Sequence, residues 1–168
     1  MPKIPHTTEW SEIIKIYPYF LSYFLSFLFI GIYWVNHHHL ISTVNKVNTK
    51  ILWLNMLLLF FLSLIPWGTG FMGENHFEQN SVIVYSLLCI FPALAYSFLS
   101  NAIIHSSNPD MKVLNILCRQ KNKEYISLGL YFLAIVFSFI WTPISLLLLF
   151  TVSATWIMPN KEIEKIFE

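Results

Sequence analysis

The sequence predicts an all-α integral membrane protein with five transmembrane helices. Three observations predict it. Of the 168 residues, 56% are hydrophobic and only 11% are charged, against roughly 25% charged in a soluble domain. The apolar residues gather in five runs, each near the ~20 residues that carry a helix across the hydrocarbon core. None of these runs contains Asp, Glu, Lys, Arg or His. The length allows a single domain.

The runs are 18–35, 51–71, 82–104, 125–141 and 143–158. The last two are short. As one helix they would reach about 50 Å, too long for a single crossing. Trp141-Thr142-Pro143 is the natural break, because the residue before a proline avoids the helical region. Pro66 and Pro92 are expected to kink the second and third spans. Trp34, Trp53, Trp67, Trp141 and Trp156 fall near span ends, where an aromatic belt sits. Ser22 and Ser26, four residues apart, offer another helix a close approach to the first span.

Charge sets the expected orientation. Lys3 and Lys15 lie on the side of the amino terminus, whereas Lys46, Lys50, Lys112, Arg119, Lys121, Lys123, Lys161 and Lys165 lie on the other. The richer side is cytoplasmic by the positive-inside rule. This places the chain in the inner membrane with its carboxyl terminus in the cytoplasm and its amino terminus outside. Residues 1–15 are polar and do not read as a signal peptide. A polar amino-terminal segment on the outer side suggests an additional upstream helix. The charge-rich segments 112–124 and 161–168 read as solvated ends, and Asn108-Pro109-Asp110 as the turn that opens the longest loop.

Several function classes are disfavoured. A net charge of +1 and a single arginine, Arg119, leave no basic surface for nucleic acid and no voltage-sensing arginine repeat. Cys89 sits mid-span and Cys118 in a basic loop, so no disulfide is expected. No catalytic motif or phosphate loop is present, so no enzyme and no cofactor is expected. The triplet His37-His38-His39 points in three directions, about 100° apart on a helix, so no metal site is expected. Thr69-Gly70-Phe71-Met72-Gly73 has the wrong spacing for a carbonyl filter and reads as a helix end. Asn55, one turn inside the second span, needs a partner on a neighbouring helix.

Tyr33-Trp34-Val35-Asn36-His37-His38-His39-Leu40 is followed by Leu52-Trp53-Leu54-Asn55, a leucine run, and Pro66-Trp67-Gly68-Thr69. This pattern resembles the prokaryotic branch of the transmembrane-protein-175 potassium channel family. The stretch Pro143-Ile144-Ser145 to Trp156-Ile157-Met158-Pro159 resembles that family's last helix. The resemblance implies a six-helix subunit, a homotetramer in the lipid bilayer, and conduction of potassium ions through a pore lined by the first helix. It also implies that Trp34, His37, His38 and Asn55 form a polar network supporting the pore. The family's first helix opens with Arg-x-x-x-Phe-Ser-Asp, which this sequence lacks. The expected fold is therefore the family bundle minus its first helix, with the ion-conducting residues unassigned. The expected function is a subunit of a leak-type potassium-permeable channel. The alternatives are a non-conducting scaffold or relic, and a small oligomeric transporter. The lack of ionisable groups in the spans argues against the transporter.

Overall fold

The computed structural model describes residues 17–44, 46–106 and 111–157. Its regular structure is all helical: α1 (Tyr17–Ser42), α2 (Thr49–Ser63), α3 (Ile65–Glu74), α4 (Gln79–Ser106), α5 (Met111–Ser138) and α6 (Thr142–Ile157). The stretches Thr49–Glu74 and Gln79–His105 are each long and apolar enough to cross a membrane. The helix α6 is a shorter apolar one.

Local chemistry sets these boundaries. Asn48 caps α2, its side chain accepting from Ile51 N at 2.9 Å. The stretch 49–74 breaks at Leu64, with Pro66 in the first turn of α3, where its missing N–H costs least. By contrast α4 runs unbroken through Pro92. The turn after α3 places His76 and Phe77 in the left-handed region, with φ of 50° and 59°. The helices α5 and α6 meet at Phe139–Trp141, and Pro143 again follows the break. The segments 1–16, 107–110 and 158–168, including Asn108-Pro109-Asp110 and the basic tail, lie outside the described residues.

The helices pack as a set of neighbours: α4 contacts α2, α3 and α5, α5 contacts α6, and α1 lies on α3 with a lighter contact to α6. Close approach is built in at small residues. A Cβ on Gly73 of α3 would lie 2.6 Å from Ser22 Oγ of α1. One on Gly68 would meet Leu88 Cδ1 of α4 at 2.5 Å.

Large apolar side chains cover much of the outer surface, and several polar ones are buried. Phe20, Tyr23, Phe27, Trp53, Phe132, Ile140, Leu147 and Phe150 are all more than 60% exposed, whereas Ser26, Asn36, Ser86, Ser100, Ser127, Ser138 and Ser145 are buried. Ser86 and Ser138 donate back to carbonyls of their own helix, at Val82 and Ala134, and need no other partner. The apolar core forms two clusters. One is built on Leu40, Ile51, Leu58, Leu99 and Leu117, and the other on Phe29, Ile65, Val82, Tyr131 and Val152. Tyr33 and Trp156 pack against both and so mark their junction.

Two expectations need correction. Most of the segment expected to be the longest loop is helix, because α5 begins at Met111. Its buried positions, Val113, Ile116, Leu117, Lys121, Glu124, Ser127, Tyr131, Ala134 and Ser138, recur every three or four residues. That is one continuous helical stripe. Lys121 and Glu124 fall on it, so they are buried rather than solvated. The second correction concerns Trp156. It turns inward and donates from Nε1 to Ser127 Oγ at 2.8 Å, whereas Trp34, Trp53, Trp67 and Trp141 are at least 60% exposed.

Candidate functional site

Two polar centres lie on different faces of α1, and the helical spacing explains both. Trp34 and His37, three residues apart, share one face, while Tyr33 and Asn36 share another.

On the first face, His37 Nε2 donates to Asn55 Oδ1 of α2 at 2.6 Å. Trp34 lies against the His37 ring, with centroids 5.9 Å apart. Away from this bond α1 and α2 are not closely packed. They leave a cleft of about 200 Å³ lined by Ile30, Trp34, His37, Leu59, Leu62 and Ser63. His37 is 8% exposed and Trp34 60% exposed, so the indole forms an open wall beside a buried imidazole. The structure therefore brings Trp34, His37 and Asn55 together. His38 is not part of this group: it is exposed and lies edge-on to His39, centroids 6.3 Å apart. The histidine triplet lies within the last two turns of α1.

On the second face, Asn36 Nδ2 donates to Trp156 O of α6 at 2.9 Å and to Ile32 O at 2.8 Å. Tyr96 of α4 donates to Asn36 O at 3.3 Å and accepts from Gln120 Nε2 at 2.9 Å. One layer further, Lys121 Nζ donates to Glu124 Oε2 at 2.7 Å and to Ser97 O at 3.0 Å. Lys123 places its Nζ 4.3 Å from the centre of the Trp156 ring, a cation–π geometry. Burial pushes the Lys123 ammonium below its ordinary lysine value. This interior network joins α1, α4, α5 and α6. Sequence reading missed it, although Lys121-x-x-Glu124 has the i, i+3 spacing of a helical ion pair.

The short glycine stretch is ordinary helix. Thr69 is buried in α3 and donates from its hydroxyl to Ile65 O at 2.9 Å. Both cysteines are free thiols, Cys89 buried and Cys118 exposed.

This chain is 44% identical over 163 residues to a protein named as a potassium channel from a Chryseobacterium species. The match covers 97% of this chain and 84% of that relative. A family model described as "Endosomal/lysosomal potassium channel TMEM175" matches residues 1–66. The chain belongs to the TMEM175 family. A Streptomyces collinus relative, also named as a potassium channel, is 36% identical over 54% of this chain and 46% of its own length. A Chamaesiphon minutus relative with the same designation is 28% identical over 77% of this chain and 66% of its own length. No solved structure matches. The TMEM175 model takes in all three residues that meet at the cleft, Trp34, His37 and Asn55.

Proposed function

We propose that this TMEM175 family member is a subunit of a potassium-permeable, leak-type channel that crosses the bilayer five times within the described helices. The observation that carries the reading is the 44% identity, across 97% of this chain, to a relative named as a potassium channel. The exposed apolar surface supports the bilayer. Large apolar side chains face outward while serines and an ion pair face inward, as expected where lipid replaces water. Lysines flanking the apolar runs, with Arg119, favour a cytoplasmic carboxyl terminus, and the inner membrane is the proposed location.

In this reading the cleft between α1 and α2 seats the pore-lining helix that the family resemblance calls for. Trp34 presents an aromatic wall to it, and the His37–Asn55 bond fixes the spacing of the two flanking helices. Exposed Phe20, Tyr23, Phe27, Trp53 and Phe60 supply apolar surface on α1 and α2 for the subunit contacts of a homotetramer. The test is potassium flux from reconstituted liposomes, with cross-linking of the purified protein to count subunits. A potassium leak from a four-subunit assembly supports the reading. A folded oligomer that passes no potassium, with a first helix present, sinks it.

A further inference from the structure

Glu124 is a carboxylate with only half of its hydrogen bonding accounted for by protein groups. It is 4% exposed. Its Oε2 receives the Lys121 ammonium at 2.7 Å, while its Oε1 is buried with no hydrogen-bond partner among the described residues. A buried carboxylate oxygen without a donor is costly and calls for an explanation. The explanation lies beside it. Glu124 lines a cavity of about 30 Å³, together with Tyr33, Asn36, Ser127, Tyr131 and Trp156. The cavity stands at the junction of α1, α4, α5 and α6.

We propose that this cavity is a binding site for ordered water, holding one or two molecules that donate to Glu124 Oε1 and bridge it to the hydroxyls around it. Size supports this: a water needs roughly 10–15 Å³ of such space and two to four polar partners. The partners are at hand. Tyr33 and Tyr131 both line the cavity, and Ser127 Oγ already accepts from Trp156. Apolar cavities of this size stay dry, but this one carries a carboxylate. Charge selects a neutral occupant. Lys121 and Glu124 form a closed pair of no net charge. A cation would bring an uncompensated charge into a buried space, which is costly. Water supplies the missing donor and adds no charge.

The site also has a structural consequence. The waters tie α5 to α1 through Tyr33, one helical turn before His37. Glu124 is therefore linked to the helix that holds the cleft, without contacting the cleft itself.

The experiment is a structure of the intact oligomer in lipid nanodiscs at a resolution that shows water. The expected result is a density peak about 2.6–3.2 Å from Glu124 Oε1, unchanged when potassium is replaced by rubidium. A cavity without density overturns the proposal. So does a peak that strengthens when the heavier rubidium replaces potassium, which would identify a cation. Infrared difference spectra between the wild type and Glu124→Gln give a second, independent readout. The expected result is a water O–H stretching band that shifts on exchange into 18O-labelled water and changes in Glu124→Gln. Difference spectra with no 18O-sensitive water band overturn the assignment.

Discussion

His37 of α1 and Asn55 of α2 are joined by a 2.6 Å hydrogen bond across a cleft where the two helices otherwise stand apart. A bond of this kind between membrane helices contributes roughly 0.5–2 kcal/mol. Asn55→Leu and His37→Leu are each expected to lower the unfolding midpoint of the detergent-solubilised protein. The double variant should lose less than the sum of the two. Thermal unfolding of all four proteins gives the coupling directly. Strictly additive losses would show that the bond does not hold the cleft.

The Lys121–Glu124 pair makes a sharper prediction, because both side chains are nearly enclosed, 11% and 3% exposed. Removing one partner leaves a buried charge. Lys121→Met should therefore destabilise the protein by about 3–5 kcal/mol. Removing both charges, with Lys121→Met and Glu124→Leu together, should recover most of that loss. Denaturant unfolding monitored by tryptophan fluorescence separates the two cases.

Gly68 governs the approach of α3 to α4. A Cβ there would meet the flexible end of Leu88 at 2.5 Å and Tyr85 Cδ2 at 3.4 Å. Gly68→Ala should be tolerated, since the Leu88 methyl can rotate away. Gly68→Leu has no such outlet and should cost about 1–3 kcal/mol through overpacking. Equal effects of the two substitutions, measured by unfolding midpoint, would contradict this packing.

Lys123 gives an alkaline signature. Its folded pKa is lowered by burial, so the unfolded chain binds the proton more tightly than the folded one. Stability should rise as pH climbs from the lowered folded value towards the ordinary lysine value. Lys123→Met should flatten that rise, and midpoints measured across alkaline pH for both proteins decide it.

Much of the helical plan was legible in the sequence, for a simple reason. Apolar runs and prolines act locally, so the turn before Pro143 could be read without the fold, whereas Pro66 was expected to kink a span and instead sits in the first turn after a break. Asn55 was legible as well, because an amide one turn inside an apolar run must find a partner. The partner, His37, lies 18 residues away, in a triplet whose members share a residue type but not a face. The interior network was not legible from composition. Charge-rich 112–124 looks solvated on average, yet only the α5 stripe through Val113, Leu117, Lys121 and Glu124 shows which charges turn inward. Trp156 was misplaced similarly. Position near a span end is a statistical cue, whereas its bond to Ser127 is a tertiary one.

The most direct test of the central claim is potassium flux through the reconstituted oligomer. Wild-type protein is expected to dissipate a potassium gradient in liposomes, and Asn55→Leu, with the His37 bond gone, to do so abnormally while remaining an oligomer. A folded wild-type oligomer that leaves the gradient intact would contradict the account.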